Sequence, residues 1–141
     1  MSSADRDTRA IMRLLSDYGR LLDLRDGAGW AALFTQDGEW IGGEHYGVIA
    51  GRERLTQFVA EEFANAPPCI HLFGNHAIDL DDSGMAATAW SRWLLVEQRG
   101  ADLKIALAGS YSDELVKQDG GWRFARREVT LDLPQSMPPS S

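Results

Sequence analysis

"AGSYSDELVKQDGGWRFARREV" occupies residues 108–129 and reads as two strands joined by a tight turn. The signal is the Asp-Gly pair inside "QDGGW". A two-residue hairpin turn needs left-handed backbone at both central positions, and Asp and Gly accept it with little strain. Upstream, Leu103, Ile105, Leu107 and Tyr111 share one face of a strand over 103–117 by partial alternation. Downstream, 122–133 is its partner. Working outward, "CIHLFGNHAIDLDDSG" (69–84) is a strand that ends in a turn, and 85–98 is an apolar-rich strand after it. The second half of the chain is therefore long antiparallel strands.

The first half reads helical. Over 5–25, Ile11, Leu14, Leu15, Tyr18, Leu21 and Leu22 form one apolar stripe at helical spacing, with Asp5 and Asp7 as early negative charge. Gly27 and Gly29 break the chain, and "WAALF" (30–34) predicts a second, short helix. "QDG" (36–38) predicts a turn, and "EWIGGEHYGVIAG" (39–51) predicts short strands interrupted by glycines. "GRERLTQFVAEEFANAPP" (51–68) is a third helix, with Leu55, Phe58, Val59 and Phe63 on one face and Pro67-Pro68 as the stop. Helices first and long antiparallel strands after give an α+β fold, with the helices packed on one face of a curved sheet to leave a cone. Such a cone encloses a cavity. One domain spans 1–141, ordered over about 5–134, before a Pro- and Ser-rich tail.

The net charge is −7, from 14 basic and 21 acidic residues, which disfavours nucleic acid and anionic membranes as partners. The longest basic run, Arg126-Arg127, lies between Phe124 and Glu128 and reads as a strand surface. Cys69 is the single cysteine, so an internal disulfide and a cysteine zinc site are excluded and a reduced, cytoplasmic setting is expected. The polar start "MSSADRDTRA" has no secretory apolar core, and no segment approaches the roughly 20 apolar residues of a membrane helix.

Three histidines carry most of the chemical interest. His71 is a candidate general base. His76 lies five residues on, on the opposite face by alternation unless Gly74-Asn75 forms a bulge, and is assigned to structure or an interface. His45, in "GGEHYG", is expected in a loop at the mouth of the cone. Their separation, with acids at no regular spacing, gives no metal-ligand pattern.

Four stretches, 18–40, 47–58, 69–91 and 108–129, resemble the SnoaL-like branch of the nuclear transport factor 2-like superfamily. Among its members are scytalone dehydratase, hexachlorocyclohexane dehydrochlorinase and bile acid 7α-dehydratase. The resemblance implies a cone-shaped α+β barrel, three N-terminal helices packed on a strongly bent, mostly antiparallel sheet, and association through that sheet as a homodimer or homotrimer. It also implies a catalytic Asp near the end of the first helix and a His at the start of a long strand, matched here by Asp23 and His71. Such a dyad removes a proton from carbon in elimination, dehydration, isomerisation or polyketide-cyclase-like ring closure, with no metal and no organic cofactor. Departures mark limits. Ser91 stands where scytalone dehydratase has a second catalytic His, Leu22 precedes the helix Asp where that enzyme has Tyr, and Trp40 falls near another of its pocket tyrosines. The dehydrochlorinase pattern, a dyad with a cationic helper, fits better, and Arg92 and Arg127 are the helper candidates, beside Ser91.

The expected ligand is a small apolar or aromatic molecule. Tyr18, Trp30, Phe34, Trp40, Tyr46, Phe58, Phe73, Trp90, Trp93 and Tyr111 are the candidate lining. Two further readings stand: a non-catalytic ligand-binding or accessory subunit like the β subunit of ring dioxygenases, and a ketosteroid-isomerase-like enzyme with Glu39 or Glu44 as base.

Overall fold

The computed structural model describes residues 1–135; the tail at 136–141 lies outside the described residues. Helix α1 (Ser3–Asp23) opens with a reciprocal cap, in which Ser2 Oγ accepts from the Asp5 N–H and Asp5 accepts from the Ser2 N–H. It buries Ile11, Leu14, Leu15, Tyr18 and Leu22. Helix α2 (Gly27–Ala31) starts three residues before the predicted "WAALF" segment, because the Asp26 side chain accepts from the Gly29 N–H and caps it. Strand β1 (Phe34–Ile41), the one-turn helix α3 (Gly43–Tyr46) and strand β2 (Val48–Ala50) follow, then helix α4 (Arg52–Glu62). The long strands are β3 (Cys69–Leu80), β4 (Ala86–Arg99), β5 (Asp102–Gln118) and β6 (Gly121–Leu133).

The six strands form one sheet in the order β2-β1-β6-β5-β4-β3. Only β1 against β6 is parallel. The Asp-Gly turn is as predicted: Gln118 pairs with Gly121, and Asp119 and Gly120 both have positive φ, 52° and 77°. "QDG" is not a turn. It lies inside β1, where five steps from Phe34 to Glu39 face two steps on β6 from Phe124 to Arg126, so the surplus bulges out.

Two more bulges matter. On β3, Gly74 pairs with Arg92 and Ala77 with Trp90, so Asn75 and His76 together face only Ser91, and Asn75 has φ 52°. On β5, Leu107 pairs with Leu95 but Ile105 with Val96, which leaves Ala106 over. A one-residue slip reverses which face each side chain takes. Leu103 and Ile105 therefore turn outward, 75% and 64% exposed, rather than sharing a face with Leu107 and buried Tyr111. The core is the concave side of the sheet, closed by α1, α2 and α4. No helix among the described residues is long and apolar enough to cross a membrane.

Candidate active site

Asp23 is the last residue of α1, and the chain fixes it there by an unusual stop. Arg25 has φ 60°, left-handed, where glycine is the usual choice; its N–H bonds Leu22 O and the Asp26 N–H bonds Leu21 O. The strain of a non-glycine residue there is offset by what its side chain reaches. The guanidinium lies 4.2 Å from the Phe63 ring centre, donates to Pro67 O at 3.3 Å and approaches Cys69 Sγ at 3.5 Å. The end of α1 is thus tied to the start of β3.

His71 is the third residue of β3. Asp23 Oδ1 lies 2.7 Å from His71 Nδ1, and the same carboxylate accepts the His71 backbone N–H at 2.9 and 3.1 Å. Both strand and ring are therefore held by one side chain 48 residues away. A carboxylate only accepts when ionised, so Nδ1 carries the proton and Nε2 presents its lone pair. Nε2 has no partner among the described residues. The close approach depends on Gly19, where a Cβ would come within 3.2 Å of His71 O and 3.3 Å of its Cβ.

His71 lines a cavity of about 520 Å³. Tyr18, Trp30, Trp40, Trp93 and Tyr111 form its deep part, all buried. Tyr46, Phe58, Phe63, Leu95 and Leu107 carry the wall outward, and His45, Glu62 and Glu97 stand nearer solvent. Trp93 lies across β5 because position 109 is glycine; a Cβ there would meet its ring at 2.5 Å. Tyr46 donates to Glu62; burial, and then that bond, push the Tyr46 hydroxyl above its ordinary value and keep it a neutral donor.

Beneath this cavity sits a carboxylate–guanidinium pair. Asp113 accepts from Arg127 Nε at 2.7 Å and Nη2 at 2.9 Å, both residues fully buried. The guanidinium packs 3.7 Å from the centre of Tyr111, 4.2 Å from Tyr18 and 4.5 Å from Phe124. Burial opposes its charge, yet the charge and hydrogen bonds of Asp113, with Tyr111 and Tyr18 beside it, hold Arg127 above its ordinary value.

The structure brings together Asp23, His71 and seven of the ten aromatic residues named from sequence: Tyr18, Trp30, Trp40, Tyr46, Phe58, Trp93 and Tyr111. Phe34 is not in the wall but sealed in the core against Trp30 and Phe124. Phe73 faces a smaller cavity of about 210 Å³ between α1 and β3, which also touches His71. Trp90 is on the outer face of the sheet, 40% exposed, under the Arg92 guanidinium. None of the helper candidates lines the main cavity. Arg92 is exposed and paired to Asp132, Arg127 is buried rather than on a strand surface, and Ser91 is fully buried with Oγ unbonded. His76 is exposed within the bulge it forms with Asn75, and Glu39 and Glu44 lie outside the lining. His45 is at the mouth, in α3 rather than a loop.

Sequence reasoning passed over Phe63, Cys69, Glu62, Glu97 and Arg25. The only available signal was at Phe63, on the apolar face of the third helix. Ligand atoms of Asp23, Cys69 and His71 lie within 4.8 Å of one another, a geometry open to a cation. Nδ1 is already engaged by Asp23, and the Arg25 guanidinium stands at the same sulfur, so its charge opposes one.

No curated protein matches the sequence. Solved structures do. Rv3472(D26N) of Mycobacterium tuberculosis, of unknown function, is 33% identical with TM-score 0.81, covering 89% of this chain and 71% of that one. A provisionally assigned scytalone dehydratase of Novosphingobium aromaticivorans is 29% identical with TM-score 0.79, covering 93% and 87%. ActVI-ORFA of Streptomyces coelicolor is 25% identical with TM-score 0.77, covering 89% and 97%. Over residues 4–128 the sequence matches the model of the SnoaL-like domain, and with a bent sheet, capping helices and a cone cavity to agree with it, the chain belongs to that family.

Proposed function

We propose that the chain is a cofactor-free lyase, isomerase or cyclase acting on a small apolar or aromatic molecule, with His71 as general base and Asp23 as its positioning partner. The observation that carries this is the 2.7 Å contact from Asp23 to Nδ1, which leaves Nε2 for the cavity. Nε2 takes a proton from a carbon beside a carbonyl, or β to a leaving group. The electron pair becomes an enolate in the first case. In the second it forms a double bond as the leaving group departs with its own pair. Asp23 stabilises the imidazolium. A base so placed contributes about 10²–10⁴-fold.

The cavity also offers a counterpart for the developing negative charge. Trp40 Nε1–H donates to the Tyr18 oxygen at 2.8 Å, and indole is a donor only. The Tyr18 proton thus remains for a ligand oxygen, and burial pushes that hydroxyl above its ordinary value so that it stays protonated. The likeness to the provisionally assigned scytalone dehydratase supports elimination chemistry.

Exchange of the hydrogens beside the carbonyl of 1-tetralone, followed by NMR in D2O, tests the reading without the true substrate. The protein should accelerate exchange, and His71→Ala and Asp23→Asn should each remove the acceleration. A fully active His71→Ala variant would strip His71 of its role, and no acceleration by the parent protein counts against the whole reading.

Self-association through the sheet, as homodimer or homotrimer, is proposed alongside. Ile70, Leu72, Trp90, Leu94, Leu103 and Ile105 expose apolar surface on or beside its outer face. Light scattering that finds only monomer at all concentrations would oppose it. The accessory-subunit reading uses the same face, but a cavity of about 520 Å³ favours ligand chemistry.

A further inference from the structure

The polar groups of the main cavity are sorted by depth. Its deep end offers a hydroxyl proton. Tyr18 and Tyr111 are 3% and 4% exposed and both line the cavity, with the Tyr111 hydroxyl turned to the Tyr18 oxygen, which also accepts from Trp40. A bond between the two would still leave one proton over. The outer end offers carboxylates, Glu62 at the close of α4 and Glu97 on β4.

The charges around the mouth can be counted element by element. From β4, Glu97 is answered by Arg99, at 2.8 Å but 60% exposed. From α4, Glu62 has only the neutral Tyr46 hydroxyl of α3. His45 of α3 also lines the mouth, and Cys69 of β3 does so with Arg25 behind it. Arg25 is turned to Pro67 O, Leu22 O and the Phe63 face, and no lysine or arginine lines the cavity. The mouth is left with one unanswered negative charge and no lysine or arginine to meet an anion.

Resting on the proposed function, the geometry points to Glu62, with Glu97 beside it, as specificity determinants: the cavity admits uncharged or cationic molecules whose acceptor oxygen goes in first, and it rejects carboxylates and phosphate-bearing carriers. The two ends act differently. The tyrosine end selects for an acceptor and the glutamate end selects against negative charge. A ligand with a carbonyl on one ring and a hydroxyl or ammonium on the far side meets both.

Three probes of one shape separate this from simple apolar binding: 2-naphthylmethanol, 2-naphthylmethylammonium and 2-naphthoate. Binding is read by quenching of tryptophan fluorescence at low salt. The alcohol and the ammonium should bind about three- to tenfold more tightly than the carboxylate, as expected for one partly exposed charge. Glu62→Gln should bring the ammonium-to-carboxylate ratio towards one, and so should raised salt in the parent protein. His71→Ala should abolish the tetralone exchange and leave the ratio unchanged, so a failed base and a failed mouth give different results. Equal or tighter binding of the carboxylate overturns the inference, as does a ratio that Glu62→Gln does not move, or no binding by any probe.

Discussion

Two carboxylate–nitrogen pairs on the concave side of one sheet are put to opposite uses. Asp113 and Arg127 face each other across β5 and β6, sealed under three aromatic rings and bonded through two parallel contacts. Asp23 and His71 join a helix end to a strand, and the side chains keep 21% and 13% of their surface. The first pair spends nearly all its hydrogen-bonding capacity internally, with only Nη1 of Arg127 unbonded. The second keeps one ring nitrogen back for whatever enters. A carboxylate bonded to a nitrogen donor makes a structural brace when the pair is closed on both sides and holds a reactive group when it is open on one.

Breaking the brace should have the largest effect. Arg127→Met strands the buried Asp113 without its partner, at about 3–5 kcal/mol of stability. Urea unfolding will measure it, and a loss below about 1 kcal/mol would mean the two pairs are not so different. His71→Ala should invert the pattern, with tetralone exchange falling by about 10²–10⁴-fold while the unfolding midpoint changes little. Next comes Gly19→Ala. The added methyl pushes α1 from β3 at the dyad itself and should cost about 1–3 kcal/mol, with exchange falling further than stability explains. Should exchange survive intact, the close approach at Gly19 is packing alone.

The smallest effect calibrates the others. Asp7 sits near the opposite end of α1, accepting from Trp122 Nε1 at 3.0 Å and pairing with Lys117 at 3.0 Å. The Trp122 bond, then Lys117, hold it below its ordinary value of 3.8. A carboxyl lowered by folding contributes its stability fully above 3.8 and loses it as the pH falls through the lower folded value. Asp7→Asn should therefore weaken the protein modestly at neutral pH, with the difference from the parent vanishing in acid. A difference independent of pH would assign the effect to lost packing.

The sequence made some of these features legible and hid others for physical reasons. Helical periodicity, the Asp-Gly turn and the Pro67-Pro68 stop are local, so α1, the β5–β6 hairpin and the end of α4 could be read directly. The bulges at Asn75-His76 and Ala106 depend on what the partner strand does, and no periodicity announces them. Arg127 was misread for the same reason. Counting outward from the turn would have set it opposite Asp113 once one surplus residue on β6 was allowed. The dyad is non-local, joined across 48 residues, and came into view through family resemblance rather than pattern. Nothing in the chain predicted that Glu62 and Glu97 would share a cavity.

The left-handed stop at Arg25 has a consequence for how such a chain can evolve. It fixes α1 at a set number of turns, with Asp23 as its final residue. Removing one residue between Tyr18 and Asp23 would rotate the carboxylate by about 100° and draw it back by about 1.5 Å. Most substitutions along the exposed side of that helix would be tolerated. Insertions and deletions would not be, even in variants that still fold. Within a lineage that keeps the activity, the length of this helix should be inherited more strictly than its composition.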